Sequence, residues 1–200
     1  MNLYYEINRR LLPSLVWRKK AAEKVVYLTF DDGPHPQITA WVMDELAKYD
    51  AKATFFVVGE NAERYPSVIQ QLQENGHQVG NHTYHHVKGW GISAAEYLTE
   101  IALCQDVIPQ KRLFRPPYGR INFASIKQLS DYEIIMWDVL TKDFMPKLDT
   151  IKALRAIKKQ TVNGSIIVFH DSLKAEKNLK MLLPDYLKFL HDNGFKMKAL

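Results

Sequence analysis

The 200-residue chain contains one cysteine, Cys104. A lone thiol excludes an intramolecular disulfide and cannot build a cysteine metal site. Cys104 lies in line with Tyr97, Ile101 and Ile108 at helical spacing, which places it in a core. No run of about 18 apolar residues occurs, so no segment reads as a membrane-spanning helix. The first twenty residues carry Glu6, Arg9 and Arg10 and have no apolar stretch ending in a small-residue cleavage site. They do not read as a secretory leader, which leaves the location open between the cytoplasm, toward which this leans, and association with the envelope. No G-x-G-x-x-G follows the first strand and no phosphate-binding P-loop is present, which disfavours a nucleotide fold. Nucleic-acid modules, internal sequence repeats, linkers and low-complexity segments are likewise missing, leaving one domain.

What is there is globular. A hydrophobic content of 46% with 12% aromatic residues is enough to build a core and too much for a disordered chain. The net charge of +5 is spread along the sequence, apart from a cluster of Arg9, Arg10, Arg18, Lys19 and Lys20. That cluster reads as a solvated basic end, with affinity for an acidic polymer or membrane surface as the alternative.

The chain divides into an amphipathic lead-in, residues 1–24, and a body, residues 25–200. Leu3, Leu11, Leu12, Leu15 and Trp17 of the lead-in are available to dock on the body. Val25–Leu28 begins a buried strand, and a helix carrying Ile38, Trp41, Val42, Leu46 and Tyr49 follows Pro34 and Pro36. Ala53–Val58 is a second strand; Pro66 opens a helix that Asn75-Gly76 stops; Gln78–Asn81 is a short third strand. Ser93 and Glu96 form a capping box for the next helix. Strands at Leu113–Arg115 and Glu133–Trp137 flank a short helix around Phe123–Leu129. Asp149 caps a helix containing Ile151, Leu154 and Ile157, and Ser165–Phe169 is a fully apolar strand. A last helix, Leu179–Leu190, holds Pro184, which predicts a kink or restart, and a strand near Phe195–Ala199 closes the chain. Strand and helix alternate about seven times, which points to parallel strands with helices outside, in a barrel or an open sheet.

Residues with chemistry to offer fall after the strands, where such folds place their sites. Asp31 and Asp32 follow the first strand and precede Gly33-Pro34. Adjacent carboxylates there are either a solvated turn or two acids aimed differently, one at a metal and one at a proton. His82, His85 and His86 are three of the seven histidines, gathered in NHTYHH. Imidazoles with one carboxylate make a catalytic divalent-metal shell with a position left open, and without cysteine a structural zinc site is disfavoured. Arg115 ends a strand against Pro116 and Pro117; either it makes a surface salt bridge, or its guanidinium holds a carboxylate by two parallel hydrogen bonds. Gly119 permits close backbone approach, useful if an amide N–H must meet an oxyanion. His170, after the strand SIIVF, is either a core histidine or a general acid with Asp138, Asp143 or Asp171 as its partner.

TFDDGPHP, HTYHH, RPPYG and VFHD, in this order, resemble the motifs of the NodB-homology polysaccharide deacetylases, carbohydrate esterase family 4. The resemblance covers at least Val25 to His170. It implies an α/β fold, a distorted (β/α) barrel of about seven parallel strands with outer helices, and metal-dependent hydrolysis of N-acetyl groups on glycan sugars. It implies Asp31 as general base; Asp32, His82 and His86 as ligands of a divalent metal, usually zinc; Arg115 as the group holding Asp31; and His170 as general acid supported by Asp143. It assigns substrate contacts to Pro117, Tyr118, Phe144 and Val168, the Tyr118 backbone N–H serving the oxyanion. His85 falls at a variable place in its motif and is not expected to ligate. Two positions depart: the family's D-x-x-D-W reads Leu140-Thr141-Lys142-Asp143-Phe144, and Val168 stands where leucine is usual. These changes put pocket shape in question, and leave a catalytically idle glycan binder, O-deacetylation or a non-sugar amide as the rival readings. The family's usual envelope role stands against the cytoplasmic expectation. The expected partner is an N-acetylated glycan, with no nucleic acid and no transmembrane segment.

Overall fold

The structure, a computed structural model, describes residues 7, 10–108 and 112–200. Its strands are β1 (Val25–Asp31), β2 (Ala53–Val57), β3 (Gln78–Asn81), β4 (Leu113–Phe114), β5 (Glu133–Ile134), β6 (Val139–Leu140), β7 (Ile166–His170) and β8 (Lys196–Met197). Between them lie α1 (Pro36–Ala47), α2 (Gly59–Arg64), α3 (Pro66–Glu74), α4 (Ala94–Val107), α5 (Phe123–Gln128), α6 (Thr150–Gln160) and α7 (Glu176–Asp192). The strands order as β5-β4-β3-β2-β1-β7-β6, every pair parallel, and curl into a half-barrel with helices around it. β8 lies off this path and pairs only with the start of β1, at Val25 and Val26.

Side-chain alternation along the central strands gives the sheet its two faces. Val26, Leu28 and Phe30 of β1 join Phe55, Ile167 and Phe169 in one cluster with Leu46 of α1 and Leu183 and Leu187 of α7. Phe30 stacks on Phe55 at 5.0 Å and on Phe169 at 5.8 Å between ring centroids. The alternate residues, Thr29 and Asp31, point to the opposite face. Local signals set the helix starts: Ser93 and Glu96 close the capping box of α4, and Asp149 Oδ1 accepts from the Lys152 N–H at 3.0 Å. Cys104 is fully buried in the main core.

Several expectations change. The strands foreseen at Leu113–Arg115, Glu133–Trp137 and Phe195–Ala199 each reduce to two residues, and β6 was not foreseen. α7 starts at Glu176 and runs unbroken through Pro184; the carbonyl left without a donor belongs to exposed Lys180, where water can serve it. The basic cluster is not simply a solvated end. Arg18 Nε donates to Asp138 Oδ2 at 2.8 Å, and Lys19 pairs with Glu133. Leu15 and Trp17 are buried, Leu12 packs beside them, and Val16 bridges to Ile135 in parallel, while Leu11 is exposed. Leu3 and Arg9 lie outside the described residues.

Candidate active site

Strand register assembles the site. Asp31 pairs with His170 across β1 and β7, and with Phe56 across β1 and β2. Val57 pairs with Asn81, and Asn81 with Phe114. His82 and Arg115, each one residue beyond these partners, therefore emerge at the same carboxyl-end edge as Asp31 and His170. Parallel sheets place their sites at this edge because every strand delivers its following loop there.

Arg115 is completely buried, and Asp31 is 4% exposed. Arg115 Nη1 donates to Asp31 Oδ1 at 2.7 Å and to Thr29 Oγ1 at 2.6 Å. Nε donates to the Ile135 carbonyl and Nη2 to the Met136 carbonyl, at 3.2 and 3.0 Å. The two parallel hydrogen bonds expected from Arg115 to one carboxylate are thus not formed. The guanidinium spreads over four acceptors, because β1 and the chain after β5 both crowd it. Its charge also sits 4.2 Å from the Phe56 ring centroid. Burial lowers the Arg115 pKa from its ordinary value, and the Asp31 charge opposes this.

Asp32, at φ 77°, turns its carboxylate the other way. Its Oδ1 lies 3.1 Å from His86 Nε2 and 3.7 Å from His82 Nε2. His82 Nδ1 donates to the Arg115 carbonyl at 2.7 Å, which fixes the tautomer and leaves Nε2 as the ligating nitrogen. Thr83 and His86 both have left-handed φ, 63° and 55°, so a tight loop rather than a helical turn folds the two rings together. Asn81 Oδ1 and Thr83 Oγ1 brace that loop through the N–H groups of Thr83 and Val87. Burial pushes the His82 pKa down to about 4, so the ring is neutral near pH 7. Burial raises the Asp32 pKa, but the His86 hydrogen bond and the His170 charge outweigh it and hold the group well below the carboxylate range. One ligand atom from each of Asp32, His82 and His86 lies within 4.8 Å of the others. Two imidazole nitrogens and a carboxylate oxygen converging this way fit a divalent metal ion. His85 turns away: its Nδ1 and its N–H both engage Glu100, each at 2.9 Å.

His170 meets Asp143, not Asp138 or Asp171. Asp143 Oδ1 lies 2.7 Å from His170 Nδ1, and Oδ2 accepts from the His170 N–H at 2.8 Å. Asn178 holds the Asp143 carbonyl from α7 at 2.7 Å. Burial lowers the imidazole's pKa, but the Asp143 contact and the Asp32 and Asp31 charges prevail and push it up to about 9. Asp138 is committed to Arg18, Ser165 and the Ile166 N–H. Asp171 instead clamps the Asp31–Gly33 turn. Its Oδ1 accepts from the Gly33 N–H at 3.1 Å, its Oδ2 from Thr39 Oγ1 at 2.5 Å, and its own N–H donates to the Asp31 carbonyl at 3.1 Å. A Cβ on Gly33 would lie 2.2 Å from that carboxylate, so any side chain there must displace it.

Asp31, Asp32, His82, His86 and His170 line a cleft of about 770 Å³. Tyr118 stands at its mouth, 64% exposed and at φ 60°, its ring 4.8 Å from that of His86. Phe144 lies edge-on to His170 at 5.0 Å, and Val168 forms part of the floor. Pro116 lines the cleft, whereas Pro117, expected to touch substrate, is buried behind it. Leu140 and Trp137 also contribute wall; the sequence places Trp137 only as the last residue of a strand, and that strand-end position was the available signal.

Fold and site together define a class: a parallel half-barrel carrying a metal-ligand set, an arginine-held carboxylate and a carboxylate-held imidazole at its carboxyl-end face. Residues 18–137 match the polysaccharide deacetylase family, and the chain belongs to it. It is 32% identical over 180 residues to the peptidoglycan-N-acetylmuramic acid deacetylase PdaC of Bacillus subtilis, covering 88% of this chain and 38% of that protein. It is 30% identical over 191 residues to a peptidoglycan-N-acetylglucosamine deacetylase of Bacillus cereus, covering 91% of this chain and 89% of that one. Its fold is similar to that of the Bc1960 peptidoglycan N-acetylglucosamine deacetylase, with a TM-score of 0.87 and 27% identity over 94% of this chain and 91% of the other.

Proposed function

We propose that the chain removes acetyl groups from N-acetylglucosamine-type sugars of a glycan by metal-dependent hydrolysis of the amide. The observation that carries this reading is the opposition of Asp31 and His170 in one strand register, each with its own buried partner, beside the Asp32–His82–His86 cluster. Amide hydrolysis needs that separation. A base must take a proton from water while a different group gives one to an amine that otherwise leaves poorly.

Asp32, His82 and His86 would hold the ion, and zinc suits this nitrogen and oxygen donor set. When bound, it supplies Lewis acidity to the acyl oxygen and to the attacking water. Asp31, paired with Arg115, accepts the water proton. In this reading the Tyr118 backbone N–H donates to the acyl oxygen as charge develops on it. His170 enters protonated and donates to the departing nitrogen, and Asp143 stabilises its cationic form until then. Val168 and Leu140 form an apolar floor and wall for the acetyl methyl. The names of the relatives agree with an N-acetylated cell-wall sugar as the target.

The test is incubation with an N-acetylglucosamine oligomer and, separately, an O-acetylated sugar, followed by mass and amine analysis. Loss of one acetyl with a new free amine is the expected outcome. Glycan binding without acetate release would identify an idle binder instead, and release only from the ester would identify an O-deacetylase.

A further inference from the structure

Among the described residues of the lead-in, none lines the cleft, yet the Leu15–Lys19 segment is fastened on both flanks. On one side the Val16 N–H donates to the Ile134 carbonyl at 2.9 Å, and the Val16 carbonyl accepts from the Met136 N–H at 2.7 Å. On the other, the Lys19 N–H donates to the Gly164 carbonyl at 3.0 Å, and Arg18 bridges to Ser165. A Cβ on Gly164, at φ 80°, would lie 1.9 Å from the Lys19 carbonyl oxygen, so glycine permits that approach. Leu15 and Trp17 are buried in the cluster that holds Ile134 and Met136. The strip gripped in this way is also the one that carries Arg115. A trans peptide points its N–H and its C=O to opposite sides. The Ile135–Met136 peptide turns its N–H to Val16 and its carbonyl to Arg115 Nε, at 3.2 Å. The next carbonyl, of Met136, accepts from Arg115 Nη2 at 3.0 Å. Two of the four acceptors of a fully buried guanidinium thus lie on a strip whose other edge is the lead-in, and a buried cation cannot turn to solvent for a replacement.

Resting on the deacetylase reading, we propose that Leu15–Lys19 are positioning residues of the catalytic site: through the Ile135–Met136 peptide they set the place of Arg115, and through Arg115 the aim of the Asp31 carboxylate. Every link in that chain is a hydrogen bond. Val16 holds the Met136 N–H at 2.7 Å, the Ile135 carbonyl holds Arg115 Nε at 3.2 Å, and Arg115 Nη1 holds Asp31 at 2.7 Å. The metal ligands rest on other anchors. Asp171 and Asn61 tie the turn that carries Asp32, while His82 bonds the Arg115 carbonyl, in a segment pinned to Asn81 through the Arg115 N–H. Loosening the lead-in should therefore cost turnover while leaving the ion in place.

The experiment compares wild type with Val16→Pro, which removes the N–H given to Ile134, and with Trp17→Leu, which keeps the position apolar but shrinks the side chain packed in the cluster with Met136. Leu187→Ala, in the separate main cluster, is the destabilised control. The readouts are melting temperature, bound zinc per chain, kcat and KM on an N-acetylglucosamine oligomer, and deuterium exchange of the Arg115 Nε–H followed by NMR. Both lead-in variants should keep their zinc and a KM within about threefold, lose about tenfold in kcat, and exchange the Arg115 Nε–H about tenfold faster. Leu187→Ala should lower the melting temperature at least as far while changing kcat less than about twofold. Should Val16→Pro fail to fold, Trp17→Leu decides. Arg115 exchange unchanged in Trp17→Leu, or a kcat loss no larger than that of Leu187→Ala, overturns the proposal. The exchange measurement reads the coupling without turnover, so a wild type that releases no acetate counts against the deacetylase reading alone.

Discussion

Asp143→Asn tests how the site keeps an imidazole protonated. Burial disfavours the His170 cation, yet Asp143, aided by the charges of Asp32 and Asp31, lifts its pKa from 6.5 to about 9. That difference corresponds to folding free energy on the order of 3 kcal/mol. The folded value is the higher one, so this stability is fully present below pH 6.5 and is lost as pH rises through about 9. Asparagine keeps the shape and can still accept one hydrogen bond, but it removes the negative charge. In metal-free protein, imidazole resonances followed by NMR should show His170 titrating at least a full pH unit lower in the variant. Urea unfolding should show a loss of about 2–3 kcal/mol near pH 6 that shrinks markedly near pH 10, where the wild-type imidazole is already neutral. The alkaline limb of the pH–rate profile should move to lower pH with it. An unchanged His170 titration, or an equal stability loss at both pH values, would refute the assignment of Asp143 as the group that keeps the acid charged.

Other perturbations separate the remaining roles. Asp32→Ala or His86→Ala should abolish metal binding, read by metal analysis after dialysis, with an unchanged fold by circular dichroism, whereas His85→Ala should lose its ring contacts with Glu100 and Tyr84 and keep the ion. Asp31→Asn should retain the ion and lose about 10²–10⁴ in kcat; near wild-type turnover would remove Asp31 as the base. Arg115→Leu strips a buried carboxylate of its partner and should cost about 3–5 kcal/mol in urea unfolding. Gly33→Ala should lower both stability and activity, since the added methyl must displace the Asp171 carboxylate that clamps the turn.

The sequence was most legible where a signal was local. β1, β2 and β7 stood out as apolar runs, and the capping box of α4 and the Asp149 cap matched the helix starts found. The motif residues are gathered at one sheet edge, as strand ends should be. β6 escaped because two residues held between a loop and β7 have no periodicity to detect. Arg115 was expected to grip one carboxylate with two hydrogen bonds, because local sequence cannot reveal that two backbone carbonyls and Thr29 compete for its N–H groups. Asp171 was taken as a possible partner of His170 by adjacency alone. Alternation along the strand end sends it to the opposite side, where Gly33 and Thr39 wait. The Arg18–Asp138 ion pair, which removes part of the basic lead-in from solvent, spans 120 positions and leaves no mark in either segment alone.

The most direct measurement is acetate release from an N-acetylglucosamine oligomer by metal-stripped protein, followed while zinc is titrated in. The account predicts no release from the stripped protein and activity that climbs with bound ion to a plateau at one per chain, with neither ion nor activity gained by Asp32→Ala. Release that is full without the ion, or that appears equally in the Asp32→Ala variant, would contradict it.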